Sequence, residues 1–369
     1  MDIYTEDMKT QGELQELYGK DSVLTTSLKT VQMEEAVVLP DRDRRGGVIR
    51  RNGEFVPESA YQSGEIRLWG GCYEVKESEI EYIPENVVFI GQIFRHWGNF
   101  LFDCLARVWY VLQEEQTKIA YCYSLQSPND EFEHKCRDFF RLLGISSDRL
   151  IEIRKPTRFH TVIIPQMSVF PGIFCSKEFL NVFDKAINNV TKAMTGDVYD
   201  KIYLTRTQMT SCKELGEREI ENIFRKLGFK IVAPEKLMIE EQIYLFSHCR
   251  VFASIEGTTS HNIMFAREQT EHIILRKQRY VNTRQVLFDR LRNIEPQYID
   301  VFFEPYKRFP IDHDTGPFWV GITSSMRLWM KKQGLRLSWK EWGGILVSEI
   351  VNGILYTMKC FYYKYILKY

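Results

Sequence analysis

No CxxC pair and no Cys/His grouping that could grip zinc occurs in this chain, which removes the zinc-binding scaffolds. The eight cysteines, Cys72, Cys104, Cys122, Cys136, Cys175, Cys212, Cys249 and Cys360, are scattered and read as buried thiols of a reducing compartment. Net charge is missing too: 49 Lys and Arg balance 49 Asp and Glu, so no global field draws the chain to nucleic acid. The opening stretch MDIYTEDMKTQGELQELYGK has acids and no apolar core, so it reads neither as a signal peptide nor as an anchor, and the expected location is the cytoplasm. There is no internal repeat, no low-complexity segment, no Gly-Lys-Ser/Thr phosphate loop and no GxGxxG fingerprint.

What remains is a folded composition, 44% apolar and 27% charged over 369 residues, enough for two domains of roughly 150 residues and an appendage. Aromatics at 14% suit a protein that binds rings, although cores use aromatics as well. The zero net charge hides an asymmetry: residues 326–369 hold eight bases and two acids, a net of +6, leaving −6 for the rest.

Short β-branched runs alternate with stretches of helical period, the pattern of βα units on parallel sheets. Strands are expected at 87–90, 118–123, 161–165, 202–205, 230–233, 251–255 and 273–276. Helices are expected at 99–115, 131–143, 176–194, 215–227, 239–248 and 260–266. The clearest joint, Thr195-Gly196-Asp197, separates an N-terminal α/β domain (1–195) from a tighter Rossmann-like domain (196–305), and residues 306–369 form a helical tail.

Three constellations carry chemistry. On a helix starting near His96, the residues His96, Asn99, Asp103 and Arg107 share one stripe on an otherwise apolar surface. Polar groups buried in a line must pair or meet a ligand, so the stripe is either an internal network that orients the helix or a source of a proton acceptor. The strand Tyr203-Leu204-Thr205 ends in Arg206-Thr207, and a guanidinium at the carboxyl end of a strand matches the oxygens of a diphosphate. An ordinary ion pair is the alternative. The strand 251–255 runs into Glu256-Gly257-Thr258-Thr259-Ser260-His261-Asn262, where glycine permits close backbone approach and hydroxyls cap a helix whose amides attract phosphate. Asp41-Arg42-Asp43 and Asp312-His313-Asp314 mimic an Asp-x-Asp metal motif, but neither is placed at a nucleotide-binding turn, so no metal is expected.

Taken together, His96-Trp-Gly-Asn-Phe-Leu-Phe-Asp103, Tyr203-Leu-Thr-Arg206, Leu227-Gly-Phe-Lys-Ile-Val-Ala-Pro-Glu235, Glu241-Gln-Ile-Tyr-Leu-Phe246 and Glu256-Gly-Thr-Thr-Ser-His-Asn262 resemble glycosyltransferase family 61, in particular its bacterial capsule and surface-polysaccharide members. The resemblance spans about 87–274. It implies an inverting, metal-independent enzyme of GT-B architecture, two Rossmann-like domains facing across a cleft, that moves a sugar from a UDP-sugar to a glycan. The implied donor contacts are Arg206, Thr207, Gly257, Thr258, Ser260, His261 and Asn262. Asn99 stands where the family often has a second histidine, and Glu256-Gly257-Thr258 where it often has His-Gly-Ala, so the base lies among Asp103, His96 and Glu256, with Asp103 preferred. A nucleotide-sugar-binding module without catalysis is the rival reading.

The tail has its own expectation. Glu349, Asn352, Lys359 and Lys364 interrupt its apolar runs, which fall short of the roughly 20 residues of a membrane span. Its bases with Trp329, Trp339, Trp342 and Phe361 fit a helix lying on an anionic membrane near a lipid-linked acceptor; fold closure is the alternative.

Overall fold

The computed structural model describes residues 1–20, 23–63, 66–123, 130–170, 173–209, 214–312 and 315–368. Two compact units are present: Met1–Lys20 with Thr195–Tyr369, and Asp21–Met194.

The first unit is built on strands β1 (Asp2–Tyr4), β2 (Lys201–Leu204), β3 (Lys230–Val232), β4 (Val251–Ile255), β5 (Glu271–Arg276) and β6 (Gln297–Asp300). They form one sheet in the order β1-β6-β5-β4-β2-β3, parallel throughout. Among the described residues its α-helices are α1 (Met8–Gly19), α2 (Glu217–Lys226), α3 (Ile239–His248), α4 (Thr283–Leu291), α5 (Ser324–Lys332) and α6 (Trp339–Tyr365). Alternation along the strands buries both sheet faces. Val251, Ala253, Ile255 and Leu275 pack with Phe224, Met326 and Trp329, whereas Ile274 and Tyr298 pack with Leu14 and Val286. From β2 the chain runs outward to β3 and then returns to β4 on the other side of β2. That reversal makes the carboxyl ends of β2 and β4 the topological switch point of the sheet, the place where open α/β sheets hold their ligands.

Residues 1–20 correct the expected 1–195 domain. The strand β1 pairs with β6, α1 buries Leu14, and Tyr18 reaches Asp289 and Tyr298 at 3.1 Å, so this segment belongs to the unit of the later sheet. A strand of three residues is too short to show periodicity. The expected boundary at 305 also differs from the structure, because Val320, Met326, Trp329 and Met330 lie in the same core. Trp329 is therefore unavailable to a membrane: it is buried, stacks on Phe224, and donates its indole N–H to Gln297 at 3.1 Å.

The long helix α6 starts at a capping box formed by Ser338 and Glu341. Its inner face buries Ile345, Tyr356 and Cys360, and a Cβ at Gly353 would come within 2.8 Å of the Trp319 ring, so glycine is needed for that close approach. Glu349 accepts the Ile322 amide at 3.2 Å. The polar residues that seemed to rule out a span are thus partly turned inward, and α6 is long and apolar enough to cross a membrane by length and composition, which corrects that exclusion.

The second unit has a mixed sheet and departs from a purely parallel Rossmann-like half. Its central strand Glu81–Ile93 is parallel to Lys118–Tyr123 and Thr157–Pro165. Thr157–Pro165 also pairs antiparallel with Thr30–Glu34 and Val37–Arg42. The antiparallel portion comes from a hairpin, Val37–Arg42 against Arg45–Ile49, turned by Asp43 and Arg44 at φ 52° and 62°. Helices Asp130–Leu142 and Lys177–Ala193 belong to this unit, the latter burying Phe179, Val182, Phe183, Ala186 and Val190.

Candidate functional site

At the end of β2 the turn Thr205-Arg206-Thr207 is fixed by two glutamates of α2. Glu217 accepts the Arg206 amide and the Tyr203 hydroxyl, both at 3.0 Å; Glu221 accepts the hydroxyls of Thr205 at 3.0 Å and Thr207 at 2.8 Å. Glu217 and Glu221 stand four residues apart and so share a helix face. Thr207 is committed to holding the turn. Burial pushes the Glu217 carboxyl up to about 7 although the Arg206 amide favours its charged form. The Arg206 guanidinium lies 3.4 Å from Glu214, whose other oxygen accepts Lys277 Nζ at 2.8 Å. Two cations are thereby gathered on one carboxylate. Lys277 follows β5 directly, so an apolar strand ending Arg276-Lys277 bears the same signal that marked Arg206, and sequence reading passed over it.

The turn after β4 lies beside this pair. Gly257 adopts φ +129°, a conformation L side chains rarely take, and Lys277 Nζ is 3.7 Å from the point a Cβ would occupy there. Gly257 and Thr258 are half-buried, while Ser260, His261 and Asn262 are buried. The expected capped helix is a six-residue 3-10 segment, Ser260–Phe265, with no side-chain cap at Thr259. The Ser260 hydroxyl instead closes the turn, donating to the Gly257 carbonyl at 2.7 Å and accepting the Gly257 amide at 3.1 Å. Asn262 donates to the Thr259 carbonyl at 3.2 Å, and His261 sits edge-on to Phe288 with its ring nitrogen 3.4 Å from Asn282.

Glu256 ends β4. It is 2% exposed, and neither carboxyl oxygen meets a hydrogen-bonding side chain among the described residues. Desolvation pushes its pKa up to about 7, offset in part by the Arg276 and Lys277 charges and the Asn282 backbone. A buried carboxyl near neutrality can accept a proton or a hydroxyl hydrogen bond at working pH.

In the second unit, Glu81–Ile93 leads into the 96–107 segment, which is not one helix. An α-helical turn (Trp97–Phe102) gives way at Asp103 to a 3-10 segment (Cys104–Arg107) and then a short helix (Val108–Val111). The stripe therefore breaks. His96 precedes the helix in extended conformation and is exposed, Asn99 is half-buried, and Asp103 is buried with its amide on the Asn99 carbonyl at 2.6 Å. Arg107 is 1% exposed and donates to the carbonyls of Pro165 (3.0 Å), Glu58 (2.7 Å) and Ala60 (2.9 Å). Burial lowers its pKa to about 10, which leaves it a cation that ties three segments together.

The Asp-x-Asp stretches have structural explanations where they are described. Asp41 is buried and accepts Trp69 Nε1 and Gln92 Nε2 at 3.0 Å, and Asp43 forms the hairpin turn. Asp312 accepts the Thr315 amide; His313 and Asp314 lie outside the described residues.

A cavity of about 710 Å³ in the first unit is lined by Glu6, Asp7, Asp300 and Glu304 with Phe302 and Trp319. Its carboxylates outnumber its one cation, Arg279, which is paired with Glu304, so Arg206 and Lys277 are the better anion site.

Arg206, Lys277 and the Gly257 turn near the switch point of a parallel sheet are the groups that an anionic ligand would meet there. Residues 97–273 match the family model of Glycosyltransferase 61, which supports that family and, with it, a glycosyltransferase. The matched stretch begins one residue after His96 and stops before Arg276 and Lys277. No curated protein matches the chain.

Proposed function

We propose that the protein is an inverting, metal-independent glycosyltransferase of the GT-B class that transfers a sugar from a UDP-sugar to a glycan in surface-polysaccharide synthesis. The observation that carries this reading is the pairing of Arg206 and Lys277 on Glu214 beside the Gly257 turn, at the switch point of a parallel sheet. The acceptor oxygen attacks the anomeric carbon as the bond to the diphosphate breaks. The hydroxyl proton passes to a carboxylate or imidazole, and the diphosphate leaves with the bonding electrons. Arg206 and Lys277 stabilise that leaving charge in place of a divalent cation. Neither a metal nor another cofactor has a role in this scheme, and the cytoplasm is where nucleotide sugar and enzyme meet.

Asp103, His96 and Glu256 are the candidate bases. Glu256 has the environment of a proton acceptor near neutral pH and follows β4, next to the turn proposed for the donor. The acceptor is an oligosaccharide or a lipid-linked glycan; nucleic acid has no part in the reaction.

The test is hydrolysis and transfer by purified protein with a panel of UDP-sugars in the presence of a chelator. Turnover that persists under chelation and falls in Arg206→Ala is expected. UDP binding without any turnover would leave a nucleotide-sugar-binding module instead.

A further inference from the structure

We propose that the outer face of α6 docks the protein flat on an anionic lipid surface. Leu346, Val347, Ile350, Ile354, Met358 and Phe361 recur at helical spacing on one side of α6, and Val347, Met358 and Phe361 are 62%, 63% and 62% exposed. A stripe of this length on an otherwise folded unit marks an interaction surface. The opposite side is already occupied: Tyr356 and Cys360 pack with Phe309 and Trp319, and Ile345 reaches the sheet core. The helix therefore keeps its inner face on the protein and presents the outer one, which favours lying along a membrane over crossing it.

Charge selects the occupant. Lys340, Lys359, Lys364 and Lys368 are exposed on α6 or just beyond its end. The two acids of the helix are engaged elsewhere, Glu341 with Lys226 and Ser338 and Glu349 with the Ile322 amide. A second copy docking through the same face would set these lysines against lysines, whereas an anionic headgroup layer complements every one of them. Lysine stems lie along apolar surface with their ammonium groups in the headgroup region while the apolar face enters the acyl boundary.

Flotation of the full chain with phosphatidylcholine vesicles, with and without phosphatidylglycerol, tests this independently of any enzymatic reading, since no donor or acceptor is present. The chain is expected to float with the anionic vesicles and to be released by salt. The Lys359→Gln/Lys364→Gln/Lys368→Gln variant should bind more weakly by about fivefold per lysine, roughly a hundredfold together. Ile354→Asp/Met358→Asp should abolish flotation with an unchanged melting temperature, because both side chains are exposed. Equal flotation with neutral vesicles, none by the wild type, or flotation untouched by the aspartates would overturn the proposal. So would a dimer in solution that the aspartates dissociate, which would assign the face to a second copy. Resistance of vesicle-bound protein to alkaline carbonate would make α6 a span and overturn flat docking.

Discussion

Glu256→Gln removes an ionisation while keeping the shape of the side chain. Glu256 is buried, and desolvation raises its pKa from 4.5 to about 7 against the opposing charges of Arg276 and Lys277. A carboxyl whose folded pKa exceeds its unfolded value holds its proton longer in the native state. Its contribution to stability is therefore complete below the unfolded pKa and is lost as pH rises through the folded one. At about 1.4 kcal/mol per pKa unit, wild type should lose on the order of 3 kcal/mol from this group across that window. Glutamine has no such slope. The two proteins should be equally stable in acid, where Glu256 is protonated, and the variant should be more stable by about 3 kcal/mol at alkaline pH. Urea denaturation over a pH series measures the difference directly, and Glu217, raised for similar reasons, cancels because both proteins carry it. A difference that does not change with pH, or a variant less stable than wild type in alkali, would refute the buried ionisation.

Arg206→Ala and Lys277→Ala should each weaken UDP binding by about 1.5–3 kcal/mol, the worth of a hydrogen bond to a charged group, as read by calorimetry. Arg107→Met should destabilise the protein by at least about 3 kcal/mol in chemical denaturation, since it strips the donor from the carbonyls of Pro165, Glu58 and Ala60. Transfer rates separate the bases: the carboxamide at the true base costs about 10²–10⁴-fold in kcat, and Asp103→Asn compared with Glu256→Gln shows which carboxyl that is. If Glu256 only holds a substrate hydroxyl, its glutamine variant raises KM and spares kcat.

The alternation of β-branched runs with helical stretches made elements of both sheets readable. The strands at 118–123 and 251–255 and the helix at 239–248 occur where periodicity puts them. Long-range pairing was not readable. The residues Asp2–Tyr4 form a strand because β6 offers an edge nearly 300 residues away in sequence, and no local pattern encodes that edge. The polar stripe misled for a related reason. Constant helical rotation from His96 to Arg107 presumes an unbroken helix, and the change to 3-10 geometry after Asp103 turns Arg107 toward carbonyls of other segments. At the cation pair, Arg206 was found because an apolar strand ends in it. Lys277 obeys the same rule, but its relation to Arg206 depends on Glu214, which lies in another part of the chain.

Transfer as proposed depends on binding of a nucleoside diphosphate by protein cations at the switch point of the parallel sheet. Isothermal calorimetry of UDP against the full chain in chelator tests it most directly. Binding without divalent metal is expected, and Arg206→Ala should weaken it by about 1.5–3 kcal/mol. Absence of binding until manganese or magnesium is supplied would contradict it.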